Sequence, residues 1–184
     1  MKALYIFFLF IGLAVVQIYI PAQMIFHQEG ILKTGKAFKF KTKPIDPSNP
    51  FQGKYIRLNF EVDKIYSADT LWNSDEDIYV LIEDDSLGYA RPTNVSSSKP
   101  DAGDYVKAKV DWYNSYEKEL QFSLPFTEFY MEESKAYDAE KAYTKLQRDS
   151  QGKNVYALVY IKNGEAVLTN VFVDDVPIAD YVQK

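Results

Sequence analysis

The chain has 184 residues, a net charge of −5, 15 Tyr, 12 Phe and no cysteine. That length holds one membrane segment plus one soluble domain of about 150 residues, able to bury a core without disulfide or metal support. The missing cysteine excludes disulfides, thiolate zinc sites, thiol catalysis and lipid attachment through an N-terminal Cys, and the mild, mixed charge offers no basic footprint for nucleic acid.

From Ala3 to Ile20 the sequence ALYIFFLFIGLAVVQIYI carries no charge, and apolar residues resume at Met24, Ile25 and Phe26. About 20 apolar residues cross a hydrocarbon core as a helix, so residues 3–26 are predicted to span a membrane, with Gly12 tolerated inside and Tyr19 at an interface. Lys2 is the only charge ahead of the span, and the positive-inside tendency keeps that end cytoplasmic and sends the chain from His27 onward to the other side. A cleaved signal peptide is the competing reading. It has a shorter apolar stretch and a small-x-small cleavage site, which Ile18–Met24 does not supply. The expected organisation is an anchor over 1–26 and an extracytoplasmic β-rich domain over 27–184.

After the anchor, Phe38–Thr42 alternates apolar and polar residues as a strand with one buried face does. Three prolines and Gly53 then make 44–53 turn-rich, and Tyr55–Val62 reads as the next strand, with Ile56, Leu58, Phe60 and Val62 inward. Ile78–Ile82 is a short apolar run fitting a strand covered on both faces, and 92–103 reads as a surface loop. Within that loop Asn94-Val95-Ser96 matches a glycosylation sequon, a triplet common by chance. Gly103–Val110 repeats the pattern of Gly53–Phe60, which reflects either an internal duplication or shared loop-to-strand chemistry. Leu120–Leu124 continues the strands up to Pro125. Ala136, Ala139, Tyr143 and Leu146 recur at helical spacing and predict a helix over 132–148. Finally Val155–Lys162 and Ala166–Val173 flank Asn163-Gly164, the strongest short-range hairpin signal. The predicted fold is α+β and β-dominated: a transmembrane helix followed by a mainly antiparallel curled sheet or partial barrel with one packed helix.

The residues offer little chemistry. His27 is the only histidine, so a zinc site would rest on carboxylates, and neither the Asp75–Asp77 run nor Glu83–Asp85 has the order of a calcium loop. No G-x-S-x-G elbow is present. A Ser/Lys peptidase of the leader-peptidase kind needs its serine just past the anchor, yet the first serine is Ser48, inside the proline-rich turn. No spacing singles out a catalytic pair among the 26 acids. Neither a metal nor a cofactor is called for. The aromatic content reads as sheet core and rim, or as a stacking platform for sugars.

The stretch Pro44-Ile45-Asp46-Pro47-Ser48-Asn49-Pro50-Phe51-Gln52-Gly53-Lys54-Tyr55-Ile56-Arg57-Leu58-Asn59-Phe60 resembles the signature of the GDYXXLXY proteins, bacterial membrane-anchored proteins named for that motif. Gly53, Tyr55 and Leu58 match, whereas Lys54 stands in place of Asp and Phe60 in place of Tyr. The resemblance runs from the anchor's exit to the C-terminal hairpin. It implies a bacterial inner-membrane location with the domain facing the periplasm, and no established activity. The motif residues Asp46, Pro47, Pro50, Phe51, Gly53, Tyr55, Leu58 and Phe60 read as turn and strand packing rather than as a catalytic set. Together these features favour a non-enzymatic accessory domain that binds another integral membrane or periplasmic protein. The alternatives are an envelope glycan-binding module and a hydrolase with an unrecognised site.

Overall fold

The computed structural model describes residues 2–43, 55–69, 71–131, 139, 141–143 and 154–181. Helix α1 covers Lys2–Thr34, and its apolar stretch is long enough to cross a membrane once, with none of it buried against the rest of the chain. Its 33 residues make a rod about 50 Å long, well beyond the ~30 Å of a hydrocarbon core. The helix carries on past Phe26 through His27, Glu29 and Lys33, and these last turns form the stalk that leads into the domain.

Gly35 ends the helix. Its N–H donates to the Ile31 carbonyl at 2.7 Å, and the chain turns directly into strand β1, Lys36–Lys43. No linker separates anchor from domain.

The strands that follow are β2 (Tyr55–Arg57), β3 (Asn59–Phe60), β4 (Lys64–Tyr66), β5 (Asp77–Asp84), β6 (Ala90–Ser96) and β7 (Tyr105–Asn114). They continue with β8 (Glu119–Ser123), β9 (Glu128–Tyr130), β10 (Val155–Lys162), β11 (Glu165–Val173) and β12 (Val176–Pro177), before a helical turn at Ile178–Tyr181. One sheet has the order β12-β11-β10-β1-β3, the other β4-β8-β7-β5-β6, and β2 pairs with β9 alone. The described strands pair antiparallel in a nearly closed, barrel-like arrangement, in line with the mainly antiparallel curled sheet or partial barrel expected from the sequence. A single parallel bridge, Val106 to Gly164, ties the sheets together, and Lys107 N–H donates to Gly164 O at 2.8 Å.

Both sheets use one plan. β1 has β3 on one side and β10 then β11 on the other; β5 likewise has β6 on one side and β7 then β8 on the other. The second copy is inserted between β3 and β10 of the first. The sequence likeness between 53–60 and 103–110 does not follow this plan, because β2–β3 matches β6 whereas β7 matches β10. That likeness is therefore shared turn chemistry at the start of two strands.

The core lies between the sheets, centred on Phe40, Phe60 and Phe126, whose rings meet edge to face at centroid distances of 5.0–5.8 Å. Inward positions alternate as expected: Phe38, Phe40 and Thr42 in β1, and Ile78, Val80 and Ile82 in β5. Tyr79 and Leu81, on the other face of β5, are only half-covered. The expected helix over 132–148 lies largely outside the described residues. Ala139 and Lys141–Tyr143, which are described, are helical, and Ala139 and Tyr143 are buried one turn apart on one face.

Two expectations are corrected. The single strand predicted over 55–62 is divided into β2 and β3, because Leu58 N–H leaves the ladder to donate to Thr127 O at 2.7 Å. The flanking residues then pair with different partners, β9 and β1. The loop predicted from residue 92 is strand β6 as far as Ser96. A Pro is tolerated there because β6 is an edge strand with a bulge beside Pro92.

Candidate functional site

Two depressions flank the end of β8, where Ser123 and Leu124 line both. The larger, about 540 Å³, lies at the end of the domain where α1 enters. Its walls include Leu124, Pro125 and Ala166, with Asp77, Lys107, Lys109 and Glu165 as its charges. Asp77 takes both lysines, Lys107 at 2.7 Å and Lys109 at 3.2 Å. The hydrogen bond from Lys107, seconded by Lys109, holds the Asp77 carboxyl below its ordinary pKa, and Asp77 in turn raises Lys107 above the lysine value. A lysine so held is a poor base. Ser123 lies in the same depression, yet this electrostatic arrangement opposes Ser/Lys hydrolysis. Among the described residues no group of three His, Cys, Asp or Glu is placed to hold a metal ion.

Glu165 does a second job. From the rim of this groove its carboxylate meets His27 Nε2 of α1, while Lys162 Nζ donates to Thr34 Oγ1 at 2.6 Å. The β10–β11 hairpin is thereby fastened to the stalk at two points. Its turn uses positive φ at Asn163 (53°) and Gly164 (90°), and a Cβ on Gly164 would lie 2.9 Å from the Tyr105 ring. The sequence marks His27 only as the one histidine, just past the apolar stretch, and has no signal for its partner, 138 residues away.

The smaller depression, about 230 Å³, is lined by Leu58, Phe60, Lys43, Asp63, Asp111 and Gln121 among others, with Lys43 and Asp63 ion-paired. It includes two motif residues, Leu58 and Phe60, both buried. Tyr55 opens β2 opposite Tyr130. Asp46, Pro47, Pro50, Phe51 and Gly53 lie outside the described residues.

On the outer face of the β1–β10–β11 sheet, Tyr156 stacks on Phe172 at 5.2 Å, donates to Asp175 Oδ1 at 2.7 Å, and has Lys39 over its ring. Lys41 sits over Tyr89 in the same way. Burial first, then the Asp175 hydrogen bond, pushes the Tyr156 phenol well above its usual pKa. The unfolded chain ionises this tyrosine near pH 10, so the contribution is complete below that pH and is lost as pH rises toward the folded value. Tyr156→Phe is expected to lose about 1 kcal/mol at pH 8, because Asp175 is largely exposed, and the gap to wild type closes by about pH 11. Urea midpoints at the two pH values check this; a gap independent of pH would contradict it.

A helix able to span a membrane, joined without a linker to two interleaved antiparallel sheets, defines a membrane-anchored β-domain protein. The family model described as GDYXXLXY protein matches residues 17–171, and the chain belongs to that family. No curated protein and no solved structure matches it.

Proposed function

We propose that the chain is a single-pass protein of the bacterial inner membrane, with its N-terminus cytoplasmic and its domain periplasmic. In this reading it acts as a non-enzymatic accessory domain that docks another integral membrane protein in the larger groove. The observation that carries the reading is the double role of Glu165, which lines the groove and also holds His27 of the stalk. His27 follows Phe26, the last residue of the apolar stretch, so the groove opens within reach of the membrane surface, where the exposed parts of another membrane protein are found. The lysines clamped by Asp77 support binding over catalysis. Orientation rests on Lys2, and the motif residues serve packing in this account, with Leu58 and Phe60 in the core.

A photo-crosslinking residue at Ala166, in the full-length chain in intact bacteria, is expected to give one discrete adduct with an integral membrane protein. The same residue at Tyr116, at the far end of the domain, is expected not to give it. No adduct from Ala166, or the same adducts from both positions, would overturn the docking reading.

A further inference from the structure

The outer face of β4–β8–β7, at the end of the domain away from α1, carries a second surface that partner docking at the stalk does not use. Pairing register sets its residues in two rows: Lys64, Gln121 and Trp112 in one, Tyr66, Glu119 and Asn114 in the other. Leu120, between Glu119 and Gln121 in sequence, is fully buried and fixes these rows as the outward ones. Tyr66 is 65 % exposed and Trp112 45 %. Their backbone positions lie two strand spacings, about 10 Å, apart across the sheet and one row, about 7 Å, apart along it.

Three features separate this surface from an incidental pair of exposed aromatics. First, Trp112 Nε1 donates to Gln121 Oε1 at 2.6 Å, which fixes the indole's orientation and leaves the Gln121 amide nitrogen free to donate elsewhere. Second, the lysines are matched by acids: Lys64 pairs with Glu119 at 3.0 Å and Lys43 pairs with Asp63 in the adjoining groove, where Asp111 adds a further carboxylate, so the face has no cationic excess. Third, Gln121 also lines the smaller depression, so a polar trough with Asp63 and Asp111 continues from the aromatic rows. Leu120 and Phe122, the apolar residues of β8 beside these rows, point to the core.

We propose that this face binds an uncharged saccharide chain, with sugar rings stacked on Trp112 and Tyr66 and hydroxyls hydrogen-bonded to Gln121 and Glu119. Flat aromatic faces meet the C–H faces of pyranose rings, and fixed amides and carboxylates satisfy the hydroxyls between them. The lack of cationic excess selects against a polyanion.

The test uses the full-length chain in phosphatidylcholine/phosphatidylglycerol nanodiscs, which avoids detergents with sugar headgroups. In a Trp72→Phe background Trp112 is the sole indole, and its emission is titrated with the β-1,4-linked tetramers of N-acetylglucosamine and of glucose, and with polygalacturonate. A saturable shift is expected with at least one neutral tetramer, weakened tenfold or more by Tyr66→Ala, whose exposed position leaves the melting temperature unchanged. A Gln121→Ala variant, read the same way, is expected to weaken it severalfold. The proposal is overturned if neither tetramer gives a saturable shift, if polygalacturonate binds more tightly than both, or if Tyr66→Ala leaves the affinity intact. It is also overturned if crosslinkers on this face, at Tyr66, capture a protein while the sugars do not bind, since the face would then belong to a protein partner.

Discussion

Phe60→Ala is expected to destabilise the domain by about 3–5 kcal/mol. The ring is 3 % exposed and lies edge to face against both Phe40 and Phe126, so truncation opens a cavity between β1 and the connection from β8 to β9. Domains of this size hold only about 5–15 kcal/mol in total, and the variant should sit near its unfolding midpoint at growth temperature. Phe60→Tyr restores the residue that stands in the family's motif. It keeps the ring packing and adds a hydroxyl where the residue borders the polar smaller groove, so its cost is expected to stay within about 1 kcal/mol. Urea unfolding followed by tryptophan emission separates the two variants. Equal losses from both would mean that the ring's packing is not what this motif position supplies.

Gly35→Ala is expected to have the second large effect, at the joint between stalk and domain. A Cβ there would lie 2.6 Å from the Ile31 carbonyl oxygen and 2.9 Å from that of Ile161. Both are backbone atoms, one in the last turn of α1 and the other in β10, so no side chain can swing aside and the helix must move off the sheet. A cost of about 2–3 kcal/mol follows from forced overpacking of this kind. The contacts from His27 to Glu165 and from Lys162 to Thr34 loosen with it. Because the chain has no cysteine, the loosening can be read with spin labels on a Lys33→Cys/Tyr116→Cys pair. The distance between them should be narrowly distributed with Gly35 in place and broader with Ala. An unchanged distribution and an unchanged unfolding midpoint would show that the joint is not tight.

These two positions also mark what the sequence made legible. Phe60 was readable as core because its alternation with Leu58 and Val62 is local. The membrane helix and the β10–β11 hairpin were legible for the same reason: an uninterrupted apolar run and an Asn-Gly turn are complete signals within a few residues. Gly35 was missed, although a glycine between a helix and an alternating strand is a helix-stop signal. Its tightness depends on Ile161, far along the chain.

The same physics explains the other misreadings. Strand division at Leu58 depends on Thr127, and β6 is a strand only because β5 offers it an edge despite Pro92. The short strands β4 and β9 have three residues each, too few for any periodic signal. Both depressions and the outer aromatic rows are assembled by register between distant strands, so the residues were visible but their proximity was not. Among the motif residues, Leu58 and Phe60 are buried in the core.

The account rests most heavily on which side of the membrane the domain occupies. Tyr116, 97 % exposed at the β7–β8 turn, is suited to report it, because a Tyr116→Cys variant would carry the only thiol in the chain. Treated in intact spheroplasts with a membrane-impermeant maleimide, the variant is predicted to label fully without lysis. Labelling only after the membrane is broken would put the domain in the cytoplasm and contradict the account.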